Sequence, residues 1–511
     1  MRRLRFLHPF LFLLVALLSV YTNARLLASP LQVIRPLLIL WGCLLLLYLP
    51  CKRLAGNEDW AAILLSILVF GLCYTRRDFI RIGLLSLVLL AVTMLTLRLL
   101  KRKPGMVHAS AALTVSGAAI AFSQIASLFL AFQTIPPSYF RDMAARADGL
   151  SVPLADSVRE KPDLYYIILD GYPRSDVLLE IFGYDNSQWV NELAELGFVV
   201  PEHSHANYSR TAISVSTTLD MQYWDSISPG MEQAVYWWLV EPVMDRSRLR
   251  ASLESIGYEY VAIASDWGIT DNPTADRYLK PFPGVWGDYE RYYLTVTPLS
   301  FLHAPLQKIA PIVDDEVHRT YIRHALETLK NAPSLPGPKF VFAHIISPHP
   351  PFVFDAGGNP LDSEAGFTFD SPDGSLFSNA EYKTRYADQA RFIGDRISEV
   401  VRVLLNDSSV PPIIIIQADH GSALYVDFED LEGSCMKERF SNFAAYYLPG
   451  KPADVIPPDI SAVNIFRIVL DEYFGAQLGV LEDRQYFMNG FYLFDQQDVT
   501  ERVNDACVIS D

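Results

Sequence analysis

Apolar residues are crowded into the first quarter of the chain and only periodically spaced through the rest. Long apolar stretches fall at 9–21, 31–49, 60–74, 80–97 and 109–132. A helix needs about 20 apolar residues to cross a hydrocarbon core, so the pattern predicts an α-helical membrane domain of about five helices over 1–135. Arg2, Arg3 and Arg5 ahead of the first stretch give it the start of a secretory signal. Another apolar span follows at once, however, with no small-residue cleavage site before soluble sequence, so the first stretch is read as a retained helix.

Lys and Arg in short loops set the orientation. With the N-terminus inside, the inner loops carry Arg2, Arg3, Arg5, Lys52, Arg53, Arg98, Lys101, Arg102 and Lys103; the outer ones carry Arg25, Arg76, Arg77 and Arg81. The count favours a multi-pass protein of the cell membrane, with five crossings that deliver the remainder outside. The Arg76/Arg77 pair counts against it, and the short third span leaves three or four crossings open; an even number would put the remainder in the cytoplasm. A polar connector over 136–160 follows, near the membrane surface.

From 161 the pattern changes to short apolar runs separated by amphipathic stretches. LYYIIL at 164–169 is an unbroken apolar run of strand length, and YVAIA at 260–264, FVFAHII at 340–346 and IIII at 413–416 are similar runs. Helical spacing falls at 187–196, 246–256, 319–329 and 387–405. Strands apolar on both faces that alternate with helices predict an α/β domain, a mostly parallel sheet with helices on both faces. It is expected over 161–475, with 476–511 as its C-terminal extension.

The net charge of −16 comes from this second part, and so acidic a domain lacks the basic footprint that nucleic-acid binding requires. Of five cysteines, Cys43, Cys51 and Cys73 lie in or beside apolar spans, and only Cys435 and Cys507 belong to the soluble part. Those two could pair in an oxidising compartment. There is no CxxC zinc pattern.

In parallel sheets, ligands bind beyond the carboxyl ends of the strands. LYYIIL ends in Asp170-Gly171, IIIIQA in Asp419-His420-Gly421, and FVFAHII in Ser347-Pro348-His349. Asp170, Asp419 and His420 together supply two carboxylates and an imidazole, a partial shell for a divalent cation. A fourth ligand and a nucleophile are sought among the hydroxyls of 207–218, a loop entering a helix, where the helix dipole and bound metal would favour an alkoxide. The same Ser and Thr residues would serve equally as an N-cap.

In that order, a strand-end Asp, a hydroxyl at a helix start, an HxPF-like turn and Asp-His-Gly, the chain resembles the sulfatase-like branch of the alkaline phosphatase superfamily. With its spans, it resembles lipoteichoic acid synthases and the phosphoethanolamine transferases that modify lipid A. The resemblance spans most of the chain in architecture and about thirty residues in motifs. It implies Thr211, rather than Ser209, as the phosphorylated nucleophile, and a metal held by Asp170, Thr211, Asp419 and His420. Asp170 stands where those transferases usually have Glu. His349 would bind the substrate phosphate or protonate the leaving group.

Departures narrow the reading. The C/S-x-P-x-R motif of sulfatases is missing, and no histidine follows His420, which argues for one divalent ion (Mn, Zn or Mg). Two cysteines cannot supply the several disulfides of the phosphoethanolamine transferases. Arg174, Asp266 and Trp267 lie where they could contact substrate. His203 and His205 flank the nucleophile loop, and His344 reads as a strand residue. The expected activity is transfer of a phosphoglycerol- or phosphoethanolamine-type headgroup from a membrane lipid donor to a glycan or glycolipid acceptor. The alternatives are a phosphodiesterase or sulfatase-like hydrolase and a non-catalytic sulfatase-like membrane protein. A transporter is disfavoured because the spans hold few ionisable residues.

Overall fold

The computed structural model of this chain describes residues 6–24, 28–73, 106–155, 161–265, 267–282, 286–302, 305–306, 314–361, 378–490 and 492–507. The expected span at 80–97 and Asp266 lie outside them. The chain forms two compact units: Met1–Thr134 with Phe282–Ile312, and Ile135–Pro281 with Val313–Asp511.

The first unit contains α1 (His8–Ala24), α2 (Ile34–Ala55), α3 (Glu58–Cys73) and α4 (Val107–Phe132). Among the described residues, two helical stretches, Pro30–Ala55 and Val107–Phe132, are long and apolar enough to cross a membrane. Side-chain pairs fix the helix directions. His8 near the start of α1 hydrogen-bonds Ser110 near the start of α4, and Ser19 meets Gln124 near their other ends, so α1 and α4 run parallel. His8 with Ser66 and Phe12 with Phe70 set α3 parallel to α1 as well. Trp41 donates to Phe10 O while Tyr48 faces Phe6, so α2 runs the other way.

The excursion Phe282–Ile312 folds with this unit, although the sequence surrounding it belongs to the other. Its helix Asp288–Val296 buries Tyr289 and Tyr293 among residues of α1, α2 and α3. The Tyr289 hydroxyl donates to Leu17 O at 2.7 Å, its N–H donates to Gln32 Oε1 at 3.1 Å, and Glu290 takes both guanidinium arms of Arg35. The excursion thus grips the end of the bundle where α1 finishes and α2 begins.

The second unit is built on a six-stranded sheet in the order β3-β2-β4-β1-β5-β6, with β1 Leu164–Leu169, β2 Glu259–Ile263, β3 Arg277–Leu279, β4 Lys339–Ile345, β5 Ile413–Gln417 and β6 Ala444–Tyr447. All neighbours are parallel except β5 and β6. Alternation along β1 explains its unbroken apolar run. Tyr165, Ile167 and Leu169 enter one core with helices Ser175–Phe182, Asp315–Asn331 and Asn379–Asp407. Leu164, Tyr166 and Ile168 enter the opposite core with helices Thr211–Asp220, Arg248–Ser255 and Ile465–Phe474. With period two, Asp170 and Asp419 continue the second face, and His344 lies on it in phase with Phe340 and Phe342.

Cys435 and Cys507 form a disulfide across 72 residues. Closing a loop of that length removes about 4 kcal/mol of unfolded-chain entropy. Cys435 Sγ also caps the helix Met436–Phe440 by accepting from Glu438 N at 3.2 Å, a contact that serine keeps. The double variant Cys435→Ser/Cys507→Ser is therefore expected to lose about 2–5 kcal/mol in a denaturant melt of the solubilised chain. An unchanged midpoint would show that the cross-link contributes nothing.

Candidate metal and ester site

Three adjacent strands, β4, β1 and β5, deliver the site from their carboxyl ends. Gly171, at φ +71, turns the chain directly after β1, and its N–H donates to Asp419 Oδ1 at 3.0 Å. A left-handed backbone there favours glycine. Helix Thr211–Asp220 comes up from the second face, and its Ser214 hydroxyl donates to Asp419 O at 2.6 Å. Thr211, the first residue of that helix, lies with Oγ1 2.9 Å from His420 Nε2.

Asp170, Asp419 and His420 are buried, and Thr211 is 9% exposed. Burial opposes ionisation of Asp170, but the nearby His349 ring and the His344 N–H outweigh it and hold that carboxyl below the ordinary range. Burial and the facing Asp170 raise Asp419. Burial and the nearby Arg439 guanidinium hold His420 well below its usual value, so its ring is neutral.

A neutral ring here meets acceptors on both sides. Nδ1 lies 2.9 Å from Gly421 O, while Nε2 lies 3.0 Å from Asp419 Oδ2 and 4.0 Å from Asp170 Oδ1. With one proton donated to Gly421 O, the Nε2 lone pair faces two carboxylates. Asp170 Oδ1 and Asp419 Oδ2 are buried and make no hydrogen bond, whereas the other oxygen of each is held by His344 and Gly171 respectively. Two orphaned carboxylate oxygens, an imidazole lone pair and a hydroxyl fit a divalent cation in number and chemistry. Asp170, His344 and Asp419 also offer ligand atoms within 4.8 Å of one another. The orphaned oxygens decide between the two sets, because His344 Nε2 already lies 3.1 Å from Asp170 Oδ2.

The surrounding braces carry no motif. Glu438 is fully buried and accepts from Ser422 Oγ, Leu424 N and Tyr425 N at 2.6–2.8 Å, gripping the loop that follows Asp419-His420. Arg439 donates to Gly421 O and to Ser209 O, tying that loop to the nucleophile loop. Gln389 donates to Pro348 O and His349 O and accepts from Val353 N, holding the His349 turn. A Cβ on Gly421 would stand 2.0 Å from Glu438 O, a backbone atom. Gly421→Ala is accordingly expected to cost more than about 2 kcal/mol and to strip the site of metal. A thermal melt and elemental analysis check this, and a variant that melts and loads like the parent would refute it.

His349 is half-buried, its N–H donates to Asp170 O at 3.1 Å, and its Nδ1 donates to Pro350 O. Trp267 lies 6.3 Å from His344 between ring centroids. Arg174 is buried, with Nε and Nη2 donating to Asp176 and Nη1 to Ser204 O. Ser209 Oγ accepts from Met488 N at 2.9 Å, and His205 meets Asn504. His203 is exposed.

No protein-family model and no curated protein matches the chain. Among solved structures it is similar to the zinc complex of the C-terminal periplasmic domain of EcEptC from Escherichia coli, at 11% identity over 69% of this chain and 98% of that one, TM-score 0.45. It is similar to the corresponding domain of the phosphoethanolamine transferase EptC from Campylobacter jejuni, at 12% identity over 62% and 90%, TM-score 0.39. It is also similar to the phosphonate monoester hydrolase of Agrobacterium radiobacter, at 14% identity over 64% and 80%, TM-score 0.39.

Proposed function

We propose that this chain is a membrane-anchored, metal-dependent phosphotransferase. In this reading it moves a phosphoglycerol- or phosphoethanolamine-type headgroup from a lipid donor to a glycan or glycolipid acceptor through phospho-Thr211. The observation that carries it is the Thr211 hydroxyl, 2.9 Å from His420 Nε2 and beside two carboxylates that each keep one oxygen without a partner.

Asp170, Thr211, Asp419 and His420 would hold one Mn, Zn or Mg ion. A divalent cation bound there would supply a lowered pKa for the Thr211 hydroxyl and offset the charge of a phosphate ester. Thr211 Oγ1 attacks the donor phosphorus, and the lipid alkoxide leaves with a proton. His349, positioned by Asp170 O and Gln389, is the group assigned to contact the phosphate or give that proton. The acceptor hydroxyl then attacks phospho-Thr211 and restores the threonine. Trp267, near His344, would line the substrate side. Arg174 is not carried forward, since its guanidinium is taken up by Asp176 and Ser204.

A multi-pass anchor with the catalytic unit outside the cell membrane is supported by the Lys/Arg count. It is supported too by α4 running parallel to α1, as an odd number of crossings requires. The Cys435–Cys507 disulfide suits an oxidising compartment. A lipid donor explains the anchor, because both stay on one surface.

The test is product analysis with the purified full chain, a fluorescent phosphatidylglycerol or phosphatidylethanolamine, and Mn²⁺ or Zn²⁺, with and without a glycolipid acceptor. Acceptor-dependent transfer of the headgroup is expected. Release of the free phospho-headgroup at the same rate in either case would favour the hydrolase, and no cleavage with no bound metal would overturn the reading.

A further inference from the structure

His344 stands out as a polar residue within the apolar stretch that follows Lys339 in β4, 1% exposed, with both ring nitrogens engaged. Its Nε2 lies 3.1 Å from Asp170 Oδ2 and its Nδ1 lies 2.8 Å from Thr270 Oγ1. A carboxylate oxygen only accepts, so Nε2 must carry the proton and Nδ1 the lone pair. The Thr270 hydroxyl then donates to Nδ1. Thr270 is itself held in the turn after β2: its Oγ1 lies 3.0 Å from Ser265 Oγ, whose backbone N–H donates to Asp271 Oδ1 at 2.7 Å. The Trp267 backbone N–H donates to the same Ser265 hydroxyl at 3.2 Å.

We propose that His344 is a positioning residue: fixed in one tautomer by Thr270, it holds Asp170 Oδ2 so that Oδ1 is presented to the cation. The proposal rests on the metal reading above. A carboxylate at the end of a strand has two torsions by which to turn away from a cation. The His344 N–H removes that freedom on one side of Asp170, as the Gly171 N–H does for Asp419. Outer partners that orient ligands in this way typically change metal affinity by about 10–100-fold.

Three substitutions separate positioning from packing and from direct ligation. His344→Phe keeps the ring volume and removes the donor. His344→Gln keeps a donor near Nε2 and loses the acceptor at Nδ1. Thr270→Val removes the hydroxyl that sets the tautomer. Zn²⁺ affinity of the full chain in detergent is measured by competition with a chelating dye, with a thermal melt of each metal-free variant as the folding control. Relative to the parent, His344→Phe is expected to weaken Zn²⁺ by about 10–100-fold, and His344→Gln by less than about threefold. Thr270→Val should weaken binding in the parent and have no further effect in the His344→Gln background, because the bond it removes is then already gone. With Co²⁺ as a spectroscopic probe, the visible absorption of His344→Gln should match that of the parent, as it must if the ring is not a ligand.

Parent-like affinity in His344→Phe, equal losses in His344→Phe and His344→Gln, or additive effects of Thr270→Val and His344→Gln would each overturn the proposal. Should His344→Phe fail to fold, the other two variants carry the same test. A parent chain that binds no Zn²⁺ would instead defeat the metal reading itself.

Discussion

Thr211→Ala is expected to abolish turnover, by roughly 10³-fold or more, since removing a covalent nucleophile removes the step and not merely an interaction. The change deletes one hydroxyl at the first position of helix Thr211–Asp220. The hydrogen bonds of Ser214, Thr217 and Thr218 to backbone carbonyls remain, so the fold should tolerate it. The effect should therefore appear in kcat and in the covalent adduct, with the melting transition nearly unmoved. Thr211→Ser keeps the hydroxyl and should retain part of the rate. Intact mass after incubation with the lipid donor should show a phospho-headgroup adduct on the parent chain and none on Thr211→Ala. An active Thr211→Ala would sink the mechanism. The neighbouring Ser209 is a poor substitute, because its hydroxyl already accepts from Met488 N.

The fold was legible wherever a strand is buried on both faces. β1, β4 and β5 read as largely apolar runs because successive residues enter two different cores, so neither face needs alternating polar positions. The strand-end rule then led to Asp170, Asp419, His420 and His349 without any knowledge of contacts. What it missed has physical causes. His344 looked like an ordinary strand residue, although its phase with Phe340 and Phe342 was visible; which face carries the site is a tertiary fact that phase alone does not give. Glu438 and Arg439 sit in a short helix with no sequence signal, and they act by gripping backbone atoms that any sequence offers. Arg174 looked like a loop cation ready for an anion, but Asp176, two residues on, takes it up. The excursion Phe282–Ile312 was hidden because its Trp and Tyr residues are as suited to a soluble core as to the end of a helical bundle. Pairing of Cys435 with Cys507 was open for want of a spacing motif.

Asp419→Asn should separate function from stability in opposite directions. Asn keeps the oxygen that accepts from the Gly171 N–H and replaces Oδ2, one of the two orphaned oxygens, with an NH₂ group. The variant should lose Zn²⁺ affinity by more than the 10–100-fold typical of outer partners, and turnover with it. Yet without metal it should be the more stable chain. In the parent, Asp419 is buried and faces the Asp170 carboxylate, which raises its pKa to about 6. A raised carboxyl favours the folded chain while protonated, so that stabilisation is full below the ordinary carboxylate value and is lost as pH rises through about 6. Asn does not titrate and donates where the parent repels. Asp170, lowered, acts with the opposite sign but is present in both chains. The metal-free variant should thus gain on the order of 2 kcal/mol over the metal-free parent at pH 7, with the gap closing towards pH 4. Saturating Zn²⁺ should reverse the order by stabilising only the parent, by about 2.7 kcal/mol at a hundred times its Kd. Thermal melts of both chains at pH 5 and 7, with chelator and with Zn²⁺, read all of this at once. A metal-free variant that melts below the metal-free parent at pH 7 would mean that the two carboxylates do not repel, and with that the case for a cation between them would lose its electrostatic ground.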